Sequence, residues 1–351
     1  MFPEPASEMQ TLSSFQAGHQ TTGSVKIFAI TPQFGAVESG QVLSIRILLG
    51  PQTPESNIGK AIESTGLSGP VAVITAGWRD SEGEIEDLRS AVGGPLEDLM
   101  LYHRAEKVFA LEPALYALQR ERQDKLQELQ RLYRLRLTAA MLAARKLMRT
   151  TGDPDLLRME QRAAISQVRA LDRHHVRRIA AIHKEFDRRR AGLDIPAATR
   201  QREAVRRLVA DAALILIAGG HVAVLLNRMR LFRLQQYLAD KPVIAWSAGA
   251  MVLCERIVLF HDDAPQGKRD AEVLDSGLGI VRNLILLPYA KSRLDWTSRT
   301  RMAVFSRRFA PARCCTLDNG SMIQLEDNRV VSASGTAVIA RAGGKRALAA
   351  K

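Results

Sequence analysis

The segment Lys241-Pro-Val-Ile-Ala-Trp-Ser-Ala-Gly-Ala250 joins an apolar strand directly to a predicted helix. Small residues, Ala245 and Gly249, stand two positions before and after Ser247. A strained turn between strand and helix requires such residues, and it exposes the serine at the carboxyl edge of a sheet. The N-terminus of the following helix stabilises negative charge that develops beside the serine.

Strand and helix patterns alternate on both sides of this segment. Apolar runs at residues 42–49 and 71–75 enclose a helical pattern at residues 55–65. Strand, helix and strand in this order form the unit of a parallel sheet. Further helices are predicted at residues 84–91, 198–209, 222–238, 248–255 and 293–307, and further strands at residues 107–111, 213–218, 243–245 and 278–287. The pattern predicts an α/β protein with a mostly parallel sheet.

A long helical hairpin interrupts this alternation. Residues 114–150 contain no glycine or proline and are rich in strong helix formers, and Gly152 and Pro154 mark a helix stop and a helix start. The second helix has a coiled-coil-like seam, formed by Ile165, Val168, Ile179, Ile182 and Phe186 and interrupted by Asp172 and His175. The predicted organisation is a flexible tail (1–41), a first part of the core (42–111), an inserted antiparallel hairpin (112–197), a second part of the core (198–343) and a basic tail (344–351).

Composition excludes several classes of protein. Of the 351 residues, 46% are apolar and 25% charged, which is typical of soluble globular proteins. No apolar run approaches the roughly 18 residues of a membrane-spanning helix, and residues 1–10 lack the basic start of a signal peptide. Three cysteines, with Cys314 and Cys315 adjacent, argue against a disulfide framework or a metal site. We expect a cytoplasmic protein with no cofactor and no bound metal.

The positive charge of the chain is concentrated in the hairpin. The formal net charge is +13, and residues 112–206 hold 22 lysines and arginines against 12 aspartates and glutamates. Clustered cations bind phosphates, but here acids are interspersed with the bases and aromatic residues are few. We expect the hairpin to mediate homo-oligomerisation or to bind a protein partner, and nucleic acid is the alternative. No membrane interaction is expected.

The region of Ser247 resembles the peptidase E and cyanophycinase family of serine peptidases, whose fold is related to class I glutamine amidotransferases. Gly219-Gly220, between a strand and a helix, is similar to the glycine loop of that family. Asp275-Ser-Gly-Leu-Gly279 is similar to its approach to the strand that carries the catalytic histidine. The resemblance covers roughly residues 42–111 and 198–339. It implies a flavodoxin-like three-layer α/β sandwich into which the hairpin is inserted.

The resemblance also implies a catalytic site. Ser247 would be the nucleophile, and the backbone N–H groups of Gly219, Gly220 and Ala248 would form the oxyanion hole. Asp262, fifteen residues after Ser247, stands where peptidase E has its triad acid.

Two positions depart from the family pattern. Tyr289 occupies the position of the expected histidine, and a phenol with a pKa near 10 is a poor base at neutral pH. Trp246, before the nucleophile, replaces a smaller residue and would reshape the pocket. His221, beside the glycine loop, and His261, beside Asp262, are candidate substitutes for the base, with surface histidines as the alternative interpretation.

Three charged residues are candidates for substrate binding. The guanidinium of Arg293 can hold a carboxylate bidentately, and members of the family act on acidic substrates. Arg79 and Glu82 follow a strand at the edge where open α/β sheets bind ligands. Two functions stay open: a serine hydrolase of peptides or amides, impaired by Tyr289, or a non-catalytic pseudopeptidase that binds a partner through its hairpin. A glutamine amidotransferase is disfavoured, because that group has cysteine at the turn.

Overall fold

The computed structural model of the protein describes residues 45–262 and 269–350. The tail expected over residues 1–41 therefore lies outside the described residues. The strands are β1 (Ile45–Leu49), β2 (Val71–Ile74), β3 (Leu96–Asp98), β4 (Leu214–Ile217), β5 (Val243–Trp246), β6 (Arg256–Leu259), β7 (Glu272–Ser276), β8 (Leu284–Pro288), β9 (Arg313–Leu317), β10 (Met322–Glu326), β11 (Arg329–Ser334), β12 (Ala337–Ile339) and β13 (Lys345–Ala347). The α-helices are α1 (Ile58–Thr65), α2 (Glu86–Val92), α3 (Leu101–Leu111), α4 (Pro113–Leu147), α5 (Pro154–Ala191), α6 (Pro196–Asp211), α7 (Val222–Leu231), α8 (Gln235–Leu238), α9 (Ala248–Leu253), α10 (Ala290–Arg293) and α11 (Arg299–Phe309).

A seven-stranded sheet in the order β11-β10-β1-β5-β4-β2-β3 forms the centre of the molecule. The five strands β1, β5, β4, β2 and β3 are parallel to one another. At the β1 edge, β10 pairs antiparallel with β1, and β11 pairs antiparallel with β10. The strand residues are apolar on both faces, because each face is covered. Leu48 and Ala245 pack into one buried cluster, and Leu49 and Trp246 into another. The mixed α/β fold with a mostly parallel sheet is thereby confirmed.

Smaller sheets complete the second part of the core. One has the order β13-β12-β9-β8, with β8 and β9 parallel, and the other is the antiparallel pair of β6 and β7. Residues 345–347, expected in a basic tail, instead form strand β13, which pairs with β12. A charged segment with no apolar run gave no signal of this edge strand.

The hairpin consists of α4 and α5, which are 35 and 38 residues long. Asp153 caps α5 by accepting hydrogen bonds from the N–H groups of Asp155 and Leu156, as expected for an N-cap aspartate. Most of the predicted seam is buried, including Asp172 and His175, whereas Ile182 is only half-buried. No helix of the described residues combines the length and the apolar character that crossing a membrane needs.

Buried polar contacts dock the hairpin on the core. The Arg308 side chain of α11 is fully buried, and it donates two hydrogen bonds to the Asp172 carboxylate (2.7 and 2.8 Å) and one to the Tyr133 hydroxyl (2.7 Å). The two ends of the hairpin meet at Glu112, whose carboxylate accepts hydrogen bonds from the N–H groups of Ala197 (2.6 Å) and Ala198 (3.1 Å).

Three predicted elements were wrong in type or extent. Residues 107–111, predicted as a strand, are the last turn and a half of helix α3. The strand predicted over residues 278–287 begins only at Leu284, and the helix predicted over residues 293–307 is displaced to Arg299–Phe309. Strands β3, β6 and β7 were not predicted.

Candidate active site

Ser247 lies at a strained turn between β5 and α9. Its backbone has φ 48° and ψ −119°, a conformation that non-glycine residues rarely adopt. Its N–H donates a hydrogen bond to the carbonyl of Leu49 at the end of β1 (3.1 Å), and its carbonyl accepts one from the N–H of Met251 (3.1 Å). Gly249 is required here, since a Cβ at that position would lie 2.2 Å from the carbonyl oxygen of Ile217. The predicted serine turn is therefore present.

The glycine loop lies directly beside the serine. A Cβ on Gly219 would lie 3.0 Å from the Cβ of Ser247, so the backbone approaches the serine as closely as it can. Gly220 has φ 102°, which glycine adopts without strain. Within the described part of the chain, the N–H groups of Gly219, Gly220 and Ala248 donate no backbone hydrogen bond. The structure thus brings together the three residues predicted for the oxyanion hole.

His221 caps helix α7 and does not present a free base. Its Nδ1 accepts a hydrogen bond from the N–H of Val224 (3.2 Å), so the neutral ring carries its proton on Nε2. Burial, together with the nearby charge of Arg79, lowers the pKa of His221 and favours this neutral form. A ring in this state donates through Nε2, which argues against the predicted role of His221 as the base. His261 is half-buried beyond the end of β6.

Asp262 is engaged in a salt bridge. Its Oδ1 accepts a hydrogen bond from the guanidinium of Arg301 (2.6 Å), and its Oδ2 accepts one from the N–H of Asp295 (2.8 Å). Both carboxylate oxygens are therefore occupied, and the side chain is buried. This arrangement anchors the start of α11 and gives no support to the predicted role of orienting a catalytic base.

Tyr289 follows β8 of the four-stranded sheet, whereas Ser247 follows β5 of the seven-stranded sheet. The N–H of Tyr289 donates a hydrogen bond to the carbonyl of Leu317 at the end of β9 (3.3 Å). Asp318, which follows Leu317, packs against Gly50, which follows Leu49 at the end of β1. The Tyr289 side chain is 41% exposed. The guanidinium of Arg293 lies over its ring, 4.9 Å from the centroid, and burial lowers the pKa of that guanidinium.

The remaining predicted site residues divide into one surface residue and two structural ones. Arg79 is exposed, with φ 62°, and its charge acts on His221. Glu82 is buried and accepts hydrogen bonds from the N–H groups of Tyr102 and His103, so it caps α3. These hydrogen bonds give Glu82 a structural role and no support to the predicted role in substrate binding. The indole of Trp246 is buried on the α1 side of the sheet, and its Cδ1 would lie 3.6 Å from a Cβ on Gly219 of the glycine loop.

Residues 170–333 match the model of peptidase family S51. This segment, which is just under half of the chain, is similar to the S51 peptidases. It includes the serine turn, the glycine loop, Asp262 and Tyr289, whereas β1 to β3 and α4 precede it.

Other comparisons add little to the S51 match. A search of curated proteins found no match. Among solved structures, the chain is similar to the crystal structure of a peptidase from an acI-B1 Actinobacterium, at 14% sequence identity and a TM-score of 0.42. The similarity covers 86% of this chain and 93% of that one.

Two buried polar groups at the ends of β2 and β3 were missed by the sequence analysis. Asp98, at the end of β3, accepts hydrogen bonds from the hydroxyl of Thr75, at the end of β2, and from the N–H of Met100 (2.9 Å). Burial raises the pKa of Asp98 to about 6. The available signal was a polar residue directly after each apolar run. In the described ranges, no group of three or more His, Cys, Asp or Glu residues is arranged to hold a metal ion.

Proposed function

We propose that this protein is an S51-type serine hydrolase whose nucleophile is positioned but weakly activated. The observation that carries the proposal is the backbone of Ser247, strained to φ 48° and ψ −119° beside a glycine loop with unbonded N–H groups. Such strain persists where the surrounding structure maintains it, and it occurs frequently at active sites.

In the proposed reaction, Ser247 Oγ attacks the carbonyl carbon of a peptide or amide, and the N–H groups of Gly220 and Ala248 bind the oxyanion. The serine proton passes to a base and then to the leaving amine, and water hydrolyses the acyl-enzyme. Among the described residues, no histidine is hydrogen-bonded to the Ser247 hydroxyl. Water would then be the first proton acceptor, which makes the reaction slow.

An acidic substrate suits the cation beside the site. In the described residues, the Arg293 guanidinium contacts the Tyr289 ring but has no carboxylate partner. A substrate carboxylate would provide that partner and form a bidentate pair. We place the activity in the cytoplasm, where the three buried cysteines stay reduced as free thiols.

The alternative is a pseudopeptidase that only binds. It is favoured by the salt bridge of Asp262 with Arg301, because among the described residues the two carboxylate oxygens accept from Arg301 and Asp295 and from no histidine. In that case the turn at Ser247 is a structural remnant, and the hairpin carries the function through homo-oligomerisation or a protein partner.

Labelling with a fluorophosphonate probe separates the two proposals. We expect slow covalent labelling of the native protein that is abolished in Ser247→Ala and retained in Ser292→Ala, a matched exposed serine near Tyr289. Heat-denatured protein should not react. No labelling under conditions that label a reference hydrolase supports the pseudopeptidase, and labelling that survives Ser247→Ala removes Ser247 as the nucleophile.

A further inference from the structure

The outer face of α5 carries a row of cations, with Ser166 and Ala180 between them. Arg162, Arg169, Arg173, Arg177 and Lys184 follow one another at steps of seven, four, four and seven residues, which return to the same face of a helix. We call this set the basic stripe. At 1.5 Å per residue it is about 33 Å long. The buried seam of α5, including Val168, Ile179 and Phe186, occupies the opposite side of the helix.

The exposed residues of this part of α5 have an unusual composition. Between positions 162 and 184, every exposed side chain is Arg, Lys, His, Ser, Gln or Ala. The acid in this interval, Asp172, is buried and paired with Arg308. Within this interval the stripe has neither exposed acidic neighbours nor exposed large apolar side chains. Exposed acids of α5 lie only beyond its ends, at Asp155, Glu160, Glu185 and Asp187.

The inward-facing charges of the hairpin, in contrast, are paired. Arg134 of α4 binds Glu272 of β7 (2.8 Å), and Arg145 binds Asp270. On α5, His183 lies 3.1 Å from Asp275, also of β7. Four cations of the stripe (Arg162, Arg173, Arg177 and Lys184) form no ion pair or hydrogen bond with any residue that the structure describes, and Arg169 donates one bond to the carbonyl of Ala310.

We propose that the basic stripe binds the phosphate backbone of duplex nucleic acid without sequence preference. The row of cations is about 33 Å long, which is close to the length of one helical turn of a duplex. Phosphates repeat along each strand over that length and are the groups that the cations would contact. Protein partners require buried apolar or aromatic anchors, and single strands require aromatic stacking platforms. The stripe offers neither. The proposal does not depend on the activity of Ser247.

The test measures fluorescence anisotropy of a labelled DNA duplex of about 20 base pairs, with the full-length protein at several salt concentrations. The stripe variant is Arg162→Gln/Arg173→Gln/Arg177→Gln. The control is Arg200→Gln/Arg206→Gln/Arg207→Gln, which removes three exposed arginines of α6 and so matches the charge change. Circular dichroism verifies folding, and Arg173→Glu alone serves if the triple variant misfolds.

We expect the native protein to bind with a logarithmic salt slope of about −4, since each phosphate contact contributes about −0.9. The stripe variant should lose about three units of slope and at least about ten-fold in affinity at low salt, and the control should lose neither. Absence of duplex binding, or equal weakening by the control, overturns the proposal. Binding of phosphatidylglycerol vesicles or of polyglutamate in preference to the duplex also overturns it and assigns the stripe to a membrane or to an acidic protein.

Discussion

A serine hydrolase requires a positioned nucleophile and a group that accepts its proton, and the positions concerned here are Ser247 and Tyr289. The turn at Ser247 and the unbonded N–H groups beside it satisfy the geometric requirement. The chemical requirement, a side chain that accepts the serine proton, is not met by a histidine at position 289, where the chain has tyrosine. Tyr289 stands at the position of the histidine that the family resemblance implies, so a histidine placed there tests whether this position reaches the serine.

Replacing Tyr289 with histidine should therefore restore part of the missing activation. We expect Tyr289→His to raise the rate of fluorophosphonate labelling by about a hundred-fold, the lower end of general-base contributions. Tyr289→Phe, which only removes the hydroxyl, should leave the slow rate unchanged. Equal rates in all three proteins would show that position 289 does not reach the serine.

Asp98 makes the stability of the protein depend on pH. Its folded-state pKa is raised from 3.8 to about 6, so the folded protein holds the proton more tightly than the unfolded chain. The free energy of unfolding must then fall as the pH rises from about 4 to about 6, by about 3 kcal/mol for a shift of this size. Above that window this group causes no further change.

Urea unfolding of the native protein and of Asp98→Asn measures this effect. The asparagine keeps an acceptor for the N–H of Met100 but cannot ionise. We expect the native protein to lose about 3 kcal/mol relative to Asp98→Asn between about pH 4 and about pH 7. Parallel pH profiles of the two proteins would contradict the assignment to Asp98.

At the scale of elements, one buried ion pair determines how the hairpin sits on α11. The side chains of Arg308 and Asp172 are 0% and 3% exposed, and Arg308 also donates to the carbonyl of Ala271 (2.6 Å). Removing one partner leaves a buried charge without compensation, whereas removing both leaves none. The pair thus connects two elements that are distant in sequence.

A double-mutant cycle tests this connection. Asp172→Leu and Arg308→Met should each lower the free energy of unfolding by about 3–5 kcal/mol. The double variant should lose much less than the sum of the two, because no unpaired charge remains. Guanidinium unfolding gives the three values, and strictly additive losses would show that the two charges do not compensate each other.

At the scale of the whole molecule, local patterns allowed much of the fold to be predicted. The turn at Ser247, the glycine loop and the hairpin each depend on residues adjacent in sequence, and all three were recognised. Strand β3 and the cap of α3 depend instead on Glu82 and Asp98, whose partners are defined only by tertiary packing. Residues 107–111 were misread as a strand because a short apolar run does not distinguish the two structures.

The same limit applies to the candidate site. The partner of Asp262 is Arg301, 39 residues further along the chain, and no spacing rule predicts that pair. The face on which Trp246 lies was predictable, because alternation along β5 places it on the opposite face of the sheet from Ala245. Site residues that depend on local backbone geometry were predictable, and those that depend on distant partners were not.

The hydrogen bonds of the Glu112 carboxylate determine how the length of the hairpin can vary during evolution. This carboxylate holds the first and last residues of the hairpin side by side, so the chain enters and leaves the core at one place, whatever the length of the hairpin. The entropic cost of closing a loop rises only slowly with its length. The hairpin can therefore grow or shrink by whole turns, and a circular permutation that opens the chain at Gly152 would leave the order of the central strands intact.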